Sequence, residues 1–423
     1  MNTVGCGNRA SSTGPRVPLV LHVDMDAFFA GVEMRSDPRL ARGPMVVGGG
    51  PGKRGVVTAA SYAARPFGIR SGMSLGEAFR LCPDLLVVPV DPSKMIHESI
   101  AVMGVLDRFS PRVEPASIDE AYLDLDPRAP EEWERVARSV GEAIRATVLR
   151  ERGLSCSVGA GVSRVQAKMA SPRGKPGGVT VVAPGSFLDM FGGESVRVIP
   201  GVGPRTAEAL EVEGVLTIRD LSRAEEKNLR RATGAGASYF RDAVRGGGDA
   251  RVLAFGESGD PKSAGHEMTF GADVTDPDVL RGTLLLLADR VARRLRKGGL
   301  LARTAAVRFK IGKQRFSRQK RLGTPTDRYE TLAGETWPLL ETARRGRPLR
   351  LVGIAGCDLT RSVVVGDLLA EDDRRTRGVE TEDRLRDRFG EDVLLPATVH
   401  LRGGAGRRRA LGWNPAARER NKR

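Results

Sequence analysis

Three carboxylates at the ends of strand-like segments are the residues of this chain best suited to chemistry. Asp24 ends the apolar segment VPLVLHVD, and Asp119 and Glu120 lie together in PASIDEAYLDL. Mg²⁺ prefers carboxylate, carbonyl and water oxygens, and the backbone carbonyl of Met25 could add one more ligand. If these strands lie side by side, the acids could hold two divalent cations of the kind used in phosphoryl transfer.

Other interpretations of these acids remain open. Acidic residues are common at strand ends, so each cluster taken alone could be an ordinary turn. Asp26 has the same strand parity as Asp24. Asp is also a favoured N-cap residue, and we interpret Asp26 as the cap of the helix that follows.

The charge balance indicates a polyanionic partner. The chain has 423 residues, with 68 Lys and Arg against 52 Asp and Glu and a formal net charge of +16. An excess of this kind favours partners bound through phosphates, above all nucleic acid. A proteome that is generally rich in arginine would produce the same excess.

The cysteines and apolar runs indicate a cytoplasmic protein that does not enter a membrane. The four cysteines are scattered without a Cys-x-x-Cys pair, which favours neither a zinc site nor a disulfide framework. The apolar runs are much shorter than a bilayer span. Residues 1–16 lack the apolar core of a signal peptide and are expected to be a disordered lead-in.

Strand and helix patterns alternate along the chain and predict an α+β multidomain fold. Strands are expected at 17–23, 45–47, 56–60, 113–118, 121–125, 155–162, 266–274, 304–311 and 349–359. Helices are expected from 27, at 77–81, 96–109 and 133–149, throughout 186–245, and at 277–297. The segment 96–109 has helical apolar spacing at Ile96, Ile100, Met103 and Leu106. After Arg361 the pattern weakens, and residues 402–423 form a basic tail with eight Arg or Lys and one Glu.

Six ordered segments resemble the Y-family DNA polymerases, most closely those of the DinB or DNA polymerase IV type. They are VLHVDMDAFFAGVE, SYAARPFGIRSGMSLGEA, EPASIDEAYLDL, AKMASPRGKPGG, IPGVGPRTAEAL and KSAGHEMTF. The resemblance extends from about residue 19 to about residue 360.

The resemblance implies a right-hand polymerase with palm, fingers, a helical thumb and a C-terminal α/β little-finger domain. The implied division is a lead-in at 1–18, a palm at 19–27 and 91–175, fingers at 28–90, a thumb at 176–250, a linker at 251–262, a little finger at 263–360 and an extension at 361–423.

The resemblance also implies the catalytic groups and the reaction. Asp24 and Asp119 would bind two Mg²⁺ ions, Glu120 would bind the catalytic one, and Mn²⁺ could substitute. The reaction would be template-directed addition of deoxynucleotides to a primer, with low fidelity, in the tolerance of DNA damage. Primer-template DNA and dNTPs would be the partners.

Several residues would surround the incoming nucleotide. Tyr62, Arg65 and Lys168 match the positions that grip the triphosphate, and Arg and Lys are suited to phosphate. Phe29 matches the steric gate that excludes a 2′-hydroxyl, and Phe28 beside it is assigned to the nucleotide pocket as well as to the core. Without the resemblance, each could be an ordinary core or surface residue.

Two regions are expected to hold DNA. Gly201 and Gly203 lie in a helix-hairpin-helix turn, where backbone N–H groups can approach a phosphate. In the last domain, Arg308 and Lys310 alternate with apolar residues on a strand, and Arg318 extends the basic stretch. A solvated strand face would show the same alternation.

The chain departs from the family pattern at several points. The segment before Lys168 is about two residues short, Ala59 replaces a threonine, and Pro172 should end the preceding helix early. There is no clear glutamine-containing clamp-binding peptide, and ALGW is a poor substitute, so a sliding clamp is not an expected partner. A monomer is expected.

Two other functions compete with an active polymerase. A catalytically inactive, polymerase-like accessory protein could bind DNA, although such proteins lose the carboxylates that this chain keeps. A nucleotidyl cyclase with a similar palm would not need the hairpin turn or the basic last domain.

Overall fold

The computed structural model describes residues 16–50, 54–126, 128–245, 248–254, 257, 261–361, 370–390 and 393–394, with only the backbone for residues 50, 54 and 370–376. Most of the predicted lead-in, the basic tail and part of the linker lie outside these residues. The chain divides into two compact units, residues 1–258 and 259–423, and the division falls inside the predicted linker.

A five-stranded sheet forms the centre of the first unit. Its strands are β1 (Val20–Met25), β5 (Val113–Pro115), β6 (Glu120–Asp124), β7 (Cys156–Gly161) and β8 (Val179–Val181), in the order β5-β6-β1-β7-β8. All pairs are antiparallel except β7 with β8. Leu21, Val23 and Met25 lie in the core cluster that includes Trp133 and Ile144. Val20 packs instead in a small cluster with Tyr122 and Ala167.

Helices cover both faces of this sheet. α3 (Pro92–Leu106) and α4 (Pro130–Arg152) supply the main core, and the short α5 (Arg164–Ala170) lies on the other face. The sequence predicted α4 well, since Trp133, Ile144 and Val148 are fully buried. α5 ends just before Ser171 and Pro172, as the proline predicted.

The apolar spacing of α3 coincides only in part with its buried face. Ile96 is 51 % exposed and Ile100 is 67 % exposed, while Met95 and Val102 are buried. The buried stripe contains Glu98, whose carboxylate accepts hydrogen bonds from Arg35 at 2.9 Å and from Arg152 at 2.8 Å. A carboxylate that is paired can be buried. Because Glu98 is polar, apolar spacing alone does not reveal the buried face of α3.

A second, three-stranded sheet follows β1 in the chain. β2 (Met45–Gly50) lies between β3 (Arg54–Ala60) and β4 (Leu86–Val88), with α1 (Phe28–Ser36) and α2 (Leu75–Leu81) beside it. Residues 186–245 are helical as expected. Their helices are α6 (Phe187–Phe191), α7 (Pro204–Val212), α8 (Ile218–Arg223), α9 (Glu226–Thr233) and α10 (Ala237–Arg245).

The second unit is an antiparallel four-stranded sheet with helices packed on it. The strands β9 (Ser263–Val274), β10 (Leu300–Ile311), β11 (Gln314–Thr326) and β12 (Leu349–Arg361) lie in the order β11-β10-β12-β9, with α11 (Pro277–Lys297) and α12 (Tyr329–Arg344) contributing to one core. The sequence analysis missed α12, whose Pro338 and Gly334 argue against a helix.

It also missed α13 (Ala370–Phe389), a charged helix with little apolar spacing. Ion pairs hold α13 against α11. Arg386 is 4 % exposed and binds Asp289 at 3.0 Å, and Asp383 accepts from Arg296 at 2.7 Å. None of the helices in the described ranges is long and apolar enough to cross a membrane.

Gly159 of β7 allows α5 to pack directly on the sheet. A Cβ placed at Gly159 would lie 2.1 Å from the carbonyl oxygen of Ala167 and 2.3 Å from the amide nitrogen of Ser171.

We expect Gly159→Ala to lower the free energy of unfolding by about 2 kcal/mol, because the backbone of α5 must move. Urea denaturation measures this change. The control Gly104→Ala lies on α3, where a Cβ meets nothing within 4 Å. It should stabilise the protein by about 0.5 kcal/mol. Equal effects of the two substitutions would contradict the close packing of α5.

Candidate active site

The register of β1 and β6 brings the predicted carboxylates to one end of the sheet. Asp24 pairs with Glu120 across the two strands, and the amide of Met25 donates a hydrogen bond to the carbonyl of Asp119 at 3.0 Å. Directly opposed residues of an antiparallel pair lie on the same face. Asp24 and Glu120 therefore share a face, with Asp119 at the strand end next to them.

Two lysines bind these carboxylates. Lys175 donates to Asp24 at 2.5 Å, and Lys168 donates to Glu120 at 2.6 Å. The Asp119 carboxylate accepts from the hydroxyl of Ser117 at 2.6 Å. Among the described residues, no three His, Cys, Asp or Glu side chains converge as a ready metal site in this arrangement. The oxygens nevertheless have the hard donor chemistry that Mg²⁺ requires.

Burial dominates the electrostatics at this edge. It raises the pKa of the Asp24 carboxyl above its usual value, and Lys175 only partly opposes that effect. Burial also lowers the pKa of His22 to about 3, with Lys168 and Lys175 adding to the shift. His22 is therefore neutral at physiological pH. Its Nδ1 lies 2.8 Å from the hydroxyl of Ser171, and its Nε2 lies 3.5 Å from Lys168 Nζ.

A cavity of about 460 Å³ opens beside the carboxylates. Its wall combines Asp24 and Asp119 with the cations Arg65 and Lys175 and the ring of Phe29. The rest of the wall includes several small residues. They are Ala27, Thr58, Ala59, Ala60 and Ser71.

The aromatic residues divide between core and cavity. Phe28 is 2 % exposed and belongs to the main core, although it also touches the cavity. Phe29 is less buried and meets Phe28 edge-on, with 5.8 Å between ring centroids. Tyr62 lies under Arg65, whose guanidinium carbon is 3.9 Å from the ring centroid.

Asp26 does not cap α1, so that prediction is wrong. The N-cap residue is Ala27, which has φ 45° and no side-chain capping bond. The Asp26 carboxylate instead accepts hydrogen bonds from residues far away in the sequence, including the hydroxyl of Tyr62. Cap propensity is a local preference, and here tertiary donors override it.

Lys168 lies next to Glu120 despite the shortened segment before it, but Lys175 is the lysine that lines the cavity. The sequence analysis did not single out Lys175, although it lies in the quoted segment GKPGG. His22 was also missed, and its place between two apolar strand residues gave no signal of a contact with Lys168.

The residues predicted to hold DNA lie in separate parts of the chain. Gly201 has φ 94°, a conformation that favours glycine, and Gly203 is the N-cap of α7. In the second unit, Arg308 and Lys310 are opposite Ser317 and Arg315 on β11. Arg318 is opposite the buried Val307 and therefore lies on the other face of the sheet.

Comparisons with known proteins agree with the sequence resemblance. The model of the impB/mucB/samB family matches residues 23–172, and the model of its C-terminal domain matches residues 261–367. A DNA polymerase IV of Methanoculleus marisnigri is 40 % identical over 348 residues, covering 81 % of this chain and 94 % of the relative. A DNA polymerase IV of Caulobacter vibrioides is 33 % identical over 383 residues, covering 89 % and 93 % of the two chains.

Solved structures support the same fold. A Y-family DNA polymerase chimera of Dbh and Dpo4 aligns with a TM-score of 0.72 at 24 % identity, covering 81 % of this chain and all of the chimera. This match confirms the α+β fold with palm, fingers, thumb and little finger, while the domain boundaries stay predictions. By its sequence and its fold, the chain belongs to the impB/mucB/samB family of Y-family DNA polymerases.

Proposed function

We propose that this DNA-directed DNA polymerase extends a primer 3′ end by two-metal-ion phosphoryl transfer, with low fidelity, in translesion synthesis. The observation that carries the proposal is the pairing of Asp24 with Glu120 and of Met25 with Asp119 at the mouth of a cavity lined by cations. An inactive accessory protein would not need these carboxylates together. Primer-template DNA and dNTPs are the proposed partners, and the cytoplasm is the proposed location.

Asp24, Asp119, Glu120 and the carbonyl of Met25 would hold two Mg²⁺ ions, and Mn²⁺ could occupy the same oxygens. When bound, the ions would lower the pKa of the primer hydroxyl and neutralise the leaving pyrophosphate. Lys175 and Lys168 now bind two of these carboxylates. Their ammonium groups must therefore leave the carboxylates when the cations bind.

The cavity cations suit the triphosphate that enters with those ions. Lys175 can move from Asp24 to a phosphate oxygen within the same cavity, and Arg65 offers a planar fork of donors. Tyr62 supports Arg65 through its ring. We assign Lys168 a position beside Glu120 and give Lys175 the larger part in binding phosphate.

The aromatic wall suits the sugar of the nucleotide. Phe29 lines the cavity and is the second residue of α1, the helix that follows β1. A ring under the sugar excludes a 2′-hydroxyl by a steric clash. Phe28 supports Phe29 from the core.

Backbone and basic side chains would hold the DNA. Gly201 and Gly203 can present N–H groups to a phosphate without a side chain between them. Arg308 and Lys310 form a basic strip on one face of the second sheet, and Arg318 would bind from the opposite face. Contacts of this kind set position without reading sequence. We propose a monomer that does not depend on a sliding clamp.

We expect Asp119→Asn to reduce primer extension with Mg²⁺ by about a hundredfold or more, because an amide oxygen binds a cation far less strongly than a carboxylate does. The matched control is Asp124→Asn at the far end of β6, which should extend primers at the parental rate. Extension is measured on primer-template DNA, with thermal melting to verify folding. Normal extension by Asp119→Asn would exclude this metal site.

We expect Phe29→Ala to lower the preference for dNTPs over ribonucleotides by about tenfold or more, since the clash with the 2′-hydroxyl is removed. Single-nucleotide kcat/KM values for dCTP and CTP measure the preference. Phe67→Ala, at a ring that is 46 % exposed, is the control. If the two variants discriminate equally well, Phe29 is not the steric gate.

We expect Lys175→Met to raise the pKa of Asp24 further in the metal-free protein, because the cation that opposes the effect of burial is gone. Carboxyl NMR titration measures the pKa, with Lys313→Met in the exposed turn between β10 and β11 as the control. A carboxyl whose pKa is raised in the folded state makes the protein less stable as the pH rises from the unfolded pKa, here 3.8, towards the folded pKa. The melting temperature of Lys175→Met should therefore fall more between pH 4 and pH 7 than that of the control. An unchanged pKa of Asp24 would contradict the pairing.

A further inference from the structure

Asp26 is a buried carboxylate with no role in the proposed chemistry, and it receives four hydrogen bonds. It is 7 % exposed. Its Oδ1 accepts from the hydroxyls of Ser157 at 2.9 Å and Tyr62 at 3.3 Å. Its Oδ2 accepts from the hydroxyl of Ser155 at 2.6 Å and the amide of Gly177 at 2.8 Å.

These donors belong to three separate segments of the first unit. Ser155 and Ser157 lie at the start of β7, and Gly177 follows Lys175 in the loop before β8. Tyr62 follows β3 in the small sheet, 36 positions from Asp26 in the sequence. A carboxylate that accepts four bonds within a buried site therefore ties the central sheet, the Lys175 loop and the small sheet to one point.

The segments that contain Gly177 and Tyr62 each carry a cation that lines the cavity. Gly177 is two residues from Lys175, which lines the cavity and reaches Asp24. The ring of Tyr62 lies under the guanidinium of Arg65, which lines the same cavity. Burial first, and then the Asp26 charge, raise the pKa of Tyr62 to about 12, so the hydroxyl stays protonated and can donate.

We propose that Asp26 is the positioning residue of the nucleotide site, which sets Arg65 through Tyr62 and Lys175 through Gly177 at the places where both meet the triphosphate. The inference rests on the proposed function, because it assumes that Arg65 and Lys175 bind phosphate. Asp26 itself touches neither the nucleotide nor a metal ion. Its effect on nucleotide binding passes entirely through its hydrogen bonds.

The test is Asp26→Asn, which keeps the shape but replaces one acceptor by an NH₂ group. The amide of Gly177 can only donate, so the remaining oxygen must serve it, and the NH₂ group then faces Tyr62 and Ser157. We expect KM for a dNTP to rise about fivefold, the size of one lost hydrogen bond. We expect kcat to change less than twofold, and the Kd for primer-template DNA, from fluorescence anisotropy, to stay unchanged.

A double-mutant cycle separates this role from a general loss of structure. In a Tyr62→Phe background, Asp26→Asn should raise KM by clearly less than fivefold, because the path through the hydroxyl is already broken. Additive effects of Asp26→Asn and Tyr62→Phe, or a loss of kcat with KM unchanged, would overturn the inference.

Three further variants keep the inference testable. If Asp26→Asn does not fold, Asp26→Ser, which keeps a short hydrogen-bonding side chain, takes its place in the cycle. Arg65→Ala and Lys175→Met report on the nucleotide site itself. If both raise KM while Asp26→Asn does not, the inference fails and the proposed function stands. If neither raises KM, the proposed nucleotide site fails as well.

Discussion

The register of β1 between β6 and β7 is the constraint on which the rest of the site depends. It sets Asp24 opposite Glu120 on one side and opposite Ser157 on the other. Because side chains alternate along a strand, a slip of one residue would move Asp24 to the core face. The apolar residues Leu21, Val23 and Met25 hold the register, since they fill the core under α3 and α4. Burial of the core thus positions the carboxylates for which we propose the catalytic role.

Charge at this edge is balanced within the chain. Asp24 and Glu120 each bind a lysine, and a charge left unpaired in a buried place would be costly. In the proposed function, the same lysines would then be available to a triphosphate when cations bind the carboxylates. Asp26 has no such exchange, because its four partners are neutral donors. In the proposed function, the end of β1 would therefore carry Asp24, which exchanges its lysine for a cation, next to Asp26, which keeps its hydrogen-bond donors.

The second unit shows ion pairs used in place of apolar contacts. α13 lies beyond the end of the C-terminal family match at residue 367, and it binds α11 through Arg386, Asp383 and Asp387. Arg386 and Asp289 are both nearly inaccessible to water. A buried pair of this kind makes a contact specific, and removing either partner would leave an uncompensated charge.

The sequence by itself determined the carboxylates, the strands that end at them, the proline that ends α5 and the α+β class, because these follow from residue type and local spacing. Only the tertiary structure decided which face of α3 is buried, that Asp26 is a tether, that Lys175 lines the cavity, and that Arg318 and Arg308 lie on different faces of the sheet. The helices α12 and α13 also became evident only in the structure, because their sequences give little local indication of a helix. In each of these cases the partner is distant in sequence, and hydrogen bonds or ion pairs across the fold outweigh the local preference of the residue.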